Sequence, residues 1–161
     1  MIKKVLFVLL TSVIILVTSP YAYAQNSTAI DFFYFQTGGF SEGRTALCIN
    51  GTTGEAISVW SQSFPEDMTQ EKLEDFIKEE KDYVKVKRAT LTQKQLKAFE
   101  KELLSCKVTT WNSKYINKDI MDGTEWKLQI IFKDKTQLKS VGINKFPKQW
   151  EQFKKAVTKH I

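Results

Sequence analysis

Three carboxylates fall close together at Asp119, Asp122 and Glu125, in and just after a polar stretch. Glycoside cleavage needs only two such groups a few ångströms apart with unequal pKa values, so a small hydrolase of envelope or extracellular polymer could keep its acid and base here. Asp122-Gly123 also has the form of an ordinary turn, and 18 acidic residues along the chain make such clusters common by chance. Other catalytic chemistries find less. His160 is the only histidine and is penultimate, a poor mount for a general base, and a Ser-His-Asp or Cys-His site would depend on it. Two distant cysteines and one terminal histidine supply no metal set, and Gly38-Gly39 lacks the spacing and the following Lys-Ser/Thr of a phosphate cradle. No metal or cofactor is implied, and binding is a more natural expectation than catalysis.

Lysines are the second candidate chemistry. Residues 138–161 carry Lys139, Lys145, Lys148, Lys154, Lys155 and Lys159 against Glu151 alone, so the basic excess of the chain is C-terminal. Lys148, Lys155 and Lys159 fall together on one side of a predicted helix. That face could attract an anionic envelope component or another, acidic, protein, and it has equally the form of a solvated helix face.

The compartment is read from the first 24 residues. Lys3 and Lys4 precede an apolar run over residues 5–17, Pro20 follows, and Ala22-Tyr23-Ala24 has the small-x-small form that signal peptidase cuts. The run is shorter than the roughly 20 residues of a bilayer span, so a cleaved export signal over 1–24 is expected rather than an anchor. Residues 25–161 would then work in a periplasm or outside the cell as one domain, with no nucleic-acid partner and no remaining membrane span. An even pair of cysteines in an exported chain most often bridges, and a Cys48–Cys106 disulfide would contribute up to about 4 kcal/mol.

Periodicity supplies the elements that must position these groups. Residues 30–35, 44–50 and 55–64 read as three strands, with the Asn50-Gly51 cluster as one turn. Phe32, Phe33, Tyr34 and Phe35 are consecutive, so two rings must face each side of the sheet, leaving either an uncovered aromatic face or a sheet buried on both sides. Thr69 caps a helix to about residue 81 with Leu73, Phe76 and Ile77 on one side. After a strand over 83–91, Thr92 and Gln95 form a capping box opening a helix expected to bury Leu96, Phe99, Leu103 and Leu104. Residues 107–111 suit a short strand and 112–123 a loop. Trp126, Leu128, Ile130 and Phe132 alternate along a strand that pairs as a hairpin with 136–143, and Pro147 opens a last helix expected to be buried through Trp150, Phe153, Val157 and Ile161. The order βββ-α-β-α-(β)-ββ-α predicts an α+β fold, with an antiparallel or mixed sheet of five to six strands and three helices lying largely on one face.

One stretch carries a family pattern. Asp122-Gly123-x-x-Trp126-x-Leu128-x-Ile130-x-Phe132, followed by Ser140-x-Gly142-x-Asn144-x-Phe146-Pro147-x-x-Trp150-x-x-Phe153, is similar to the C-terminal hairpin and helix of a family of bacterial exported α+β domains of unknown function. The resemblance covers about the last quarter of the chain and carries no catalytic residues. It implies that a shared site would lie at Ser140, Gly142 and Asn144, beside the helix start, where Gly142 and Asn144 could equally just shape the turn. The resulting expectation is an exported binding or accessory domain, inhibitor-like or envelope-associated, acting without catalysis.

Overall fold

A computed structural model describes residues 29–39, 41–66, 68–120 and 123–159. The expected signal segment, Asp122, His160 and Ile161 lie outside the described residues. Seven strands form one mixed sheet: β1 (Ile30–Gly39), β2 (Gly43–Asn50), β3 (Glu55–Ser61), β4 (Lys85–Thr90), β5 (Lys114–Ile116), β6 (Glu125–Phe132) and β7 (Gln137–Ile143), in spatial order β4-β3-β2-β1-β6-β7-β5. All neighbours are antiparallel except β5, which runs parallel to β7. The helices are α1 (Gln70–Glu79), α2 (Gln93–Ser105) and α3 (Trp150–Thr158).

The α+β class and the three helices agree with expectation, while the strand count and the helix placement differ. Residues 107–111 hold a 3-10 turn, Val108–Thr110, rather than a strand. Val108 and Trp111 are both buried, so its apolar pattern belongs to a turn tucked under the core. The seventh strand, β5, lies inside the stretch expected to be a loop; its Lys114-Tyr115-Ile116 alternation is too short to signal a strand unless β7 is already there to pair with it.

The helices do not share one face. Leu91, Leu96, Phe99 and Leu103 from α2 and its N-terminal entry, with Trp150, Phe153 and Val157 from α3, close over Phe33, Phe35, Leu47, Ile49, Trp126 and Leu128. Phe33 meets Phe99 edge-on at 5.0 Å and Phe35 meets Phe153 at 4.9 Å, both favoured ring geometries. On the opposite face, Leu73 and Met68 close over Phe32, Tyr34, Ala46, Cys48, Ile57 and Val59, with Phe76 and Ile77 of α1 packed at the edge. The aromatic run of β1 is therefore buried on both sides. The capping box of Thr92 and Gln95 and the N-cap of Thr69 form as their sequences require.

The division into two cores also overturns the disulfide. Cys48 and Cys106 are free buried thiols. Cys48 faces α1, between neighbours Leu47 and Ile49 that face the other way, and Cys106 sits in the core beneath α2. The sheet lies between them, so strand alternation alone keeps them apart.

Burial pushes the thiol of Cys48 and the hydroxyl of Tyr34 well above their ordinary pKa values of 9.0 and 10.0. The folded chain thus retains protons that the unfolded chain releases. This contribution to stability is complete below about pH 9 and is lost as pH rises through the alkaline range. Urea titrations should show stability level from pH 7 to 8 and falling above 9, with Tyr34→Phe flattening the fall above about pH 10. At pH 8 both thiols should resist a disulfide-exchange reagent in the folded protein and react fully once it is unfolded, with no mobility change on reduction.

Candidate functional site

What α1 covers determines what is left open. Arg88 of β4 donates two bonds of 2.6 Å to the carboxylate of Glu74 on α1 and a third, of 3.2 Å, to Glu55 of β3. Its hydrogen bonds hold the Glu74 carboxyl below the usual range. Gln70 accepts a bond from the Asn50 side chain at 2.7 Å and donates to Glu55 at 3.0 Å. Together these contacts fix α1 over β2, β3 and β4. Among the described residues, no helix covers β6, β7 and β5 on that face.

The uncovered half-sheet presents the residues that alternate with the core. From β6 come Glu125, Lys127 and Gln129, from β7 Lys139, Val141 and Ile143, and from β5 Lys114 and Ile116. Val141 is the Cα partner of Lys127 on one side and of Lys114 on the other, and Lys139 stands two residues along the same strand. Cross-strand neighbours on one face are about 5 Å apart at Cβ and diagonal ones about 7–8 Å, so three lysine side chains leave the sheet around one valine. No ion pair to Lys114, Lys127 or Lys139 occurs among the described residues. Glu125 is already held by Arg44 at 2.7 Å. Lys127 and Lys139 line a groove of about 240 Å³ with Tyr34, Met68, Gln129 and Glu66. Its floor is fixed by the Tyr34 hydroxyl, which donates to Gln36 Oε1 at 2.6 Å, both residues being buried. Ile116 and Ile143, paired across β5 and β7, stay about 40 % exposed beside the cations.

The residues singled out from sequence take other places. Lys148 is exposed and precedes α3. Lys155 and Lys159 line a shallow depression with Glu102, Ser105 and Gln152 between α2 and α3, where Lys159 pairs with Glu102. Lys154 pairs with Glu151 at 3.0 Å. Ser140 is buried and donates to the carbonyl of Asn112 at 2.6 Å, and Val141 N–H bonds to Ser113, so β7 ties down the chain entering β5. Asn144, at φ 52°, donates through its backbone to Thr124 and through Nδ2 to the Ile120 carbonyl, closing the loop that leads to β6. Gly142 lies under the Trp126 indole, where a Cβ would come within 2.1 Å of Nε1. That nitrogen donates to the Lys145 carbonyl at 3.0 Å. Of the three carboxylates, Asp119 is exposed, Glu125 is exposed and paired to Arg44, and Asp122 lies outside the described residues. No group of three metal-ligating side chains occurs among the described residues.

No known protein family matches the chain, and no curated protein does.

In the sequence, Lys139 stands out only as part of the C-terminal excess of lysines, and Lys127 and Lys114 do not stand out. Lys127 carried a usable signal, the polar half of the β6 alternation, but that half looks the same on any solvated strand. Lys114 carried none until β5 had a register.

These placements separate scaffold from surface. Gly142→Ala, which crowds Trp126, and Ser140→Ala, which removes the buried hydroxyl that ties β7 to the Asn112 carbonyl, should each cost about 1–3 kcal/mol in urea unfolding. Lys127→Ala should change stability by no more than about 0.5 kcal/mol.

Proposed function

We propose that the protein is an exported accessory domain that acts by binding a partner rich in carboxylate or phosphate groups, and that the uncovered half-sheet is its binding face. The observation that carries this reading is the unpaired cluster of Lys114, Lys127 and Lys139 around Val141. Like charges on neighbouring strand positions repel, so the cluster is retained at a cost that an anionic partner would relieve. The aliphatic surface of Val141, Ile143 and Ile116 beside it adds area that a partner could cover. On the α3 face, by contrast, Lys159 already pairs with Glu102, and Lys155 lines the same depression as that carboxylate, which makes that face the weaker candidate.

The signal-like segment of residues 1–24 and the similarity of the C-terminal pattern to exported domains support an envelope or extracellular setting. No helix among the described residues is long and apolar enough to cross a membrane.

Retention on immobilised poly-glutamate, measured against salt, checks the reading. A Lys127→Glu, Lys139→Glu double variant should bind roughly tenfold more weakly with a shallower salt dependence. Reversal of Lys148 and Lys155 should leave affinity within about twofold. The opposite ranking would move the binding face to α3.

A further inference from the structure

A second concavity lies at the other end of the sheet, unrelated to the lysine cluster. It has a volume of about 470 Å³, within the roughly 300–1,000 Å³ usual for small-molecule sites, and forms where β3 ends, β4 begins and the turn after α1 passes over them. Trp60 and Tyr83 supply its rings; Gln62, Glu80, Asp82 and Lys85 supply its polar groups.

Trp60 is held from several directions. Its indole N–H donates to the Glu42 carbonyl at 3.2 Å, and the Lys85 ammonium stands 5.2 Å from its ring centroid. Gly43 packs against it at φ 73°, where a Cβ would approach ring atom Cζ2 to 2.8 Å. Such a ring is oriented before any ligand arrives, which lowers the ordering cost of binding. Tyr83 differs. It is 75 % exposed, no ring packs on it among the described residues, and a Tyr83 N–H bond to the Glu80 carbonyl at 2.8 Å tightens the turn that presents it. Neither Glu80 nor Asp82 forms an ion pair among the described residues.

We infer that this cleft binds a neutral saccharide, with the open Tyr83 ring receiving the C–H face of a pyranose, Trp60 walling the cleft beneath Lys85, and Gln62, Glu80, Asp82 and Lys85 hydrogen-bonding the hydroxyls. Aromatic rings with a polar edge suit a ligand that is apolar on its ring faces and polar around its rim. Carboxylates accept from hydroxyls, the ammonium donates, and the amide does both, so vicinal hydroxyls find complementary partners. Two carboxylates against one ammonium disfavour phosphodiesters and other polyanions, which separates this cleft from the lysine face. The apolar lining beyond the two rings is Val84 alone, too little for the aliphatic side chains of a peptide.

The experiment is an amide and indole NMR titration of the protein with cellotriose, maltotriose and triacetylchitotriose as probes. The expected result is saturable shifts with at least one probe, confined to the Trp60 indole and residues 80–85. Tyr83→Ala, an exposed change that leaves the spectrum otherwise dispersed, should weaken that binding roughly three- to tenfold. Lys127→Glu with Lys139→Glu should leave it unchanged. Absence of saturable shifts with all three probes at about 20 mM, or equal affinity in Tyr83→Ala, would overturn the inference.

Discussion

The fold depends on β1 being buried on both faces. Phe33 and Phe35 point into one core and Phe32 and Tyr34 into the other, so a single extended segment fixes the spacing and orientation of two independent layers. β1 pairs with β2 on one edge and β6 on the other, which places the N-terminal meander and the C-terminal hairpin side by side. A one-residue slip of this strand would exchange its two sets of rings and spoil both cores at once. The bulge between Ile30 and Phe32 against β6 falls at the strand's start, before the ring-bearing pairs begin.

From that strand the unequal covering of the sheet follows. On the α2 and α3 side, packing extends from β2 across to Trp126 on β6 and Tyr115 on β5, a continuous row of aromatic contacts. On the α1 side it ends at the half-buried Ile131 of β6, because Arg88, Glu74, Glu55 and Gln70 hold α1 over the other half. The proposed binding face is the remainder: what one short helix, fixed by a polar network at its own end of the sheet, does not reach. Antiparallel sheets tolerate a solvated face, so the opening needs no compensation within the core.

Much of the fold could be read from residue patterns. The capping box at Thr92, the alternation from Trp126 to Phe132 and the Trp150-Phe153-Val157 stripe are local signals, and each formed where its spacing said. What failed was non-local. Whether Cys48 meets Cys106 depends on which face each occupies, and that is set by tertiary packing rather than by compartment or parity. β5 exists because β7 offers an edge, so its three residues carry no pattern of their own. The lysine cluster is hidden for the same reason, since Lys114 and Lys127 become neighbours only through β7. Ser140, Gly142 and Asn144 hold the loop around β5 and the seat of Trp126, contacts that depend on partners distant in the chain.

The β1–β6 pairing also bears on how the chain must assemble. β1 finds β2 across a short turn, but its other neighbour begins at Glu125, far along the chain. Closing that loop is an entropic hurdle met before the C-terminal core can reward it, so the rate of folding should be governed by this one long-range docking step. Until it occurs, the β1–β4 unit exposes an unpaired edge next to Phe33 and Phe35, the combination most prone to strand-to-strand association between copies. The strand that organises the native molecule is thus also its point of greatest vulnerability while the chain is incomplete.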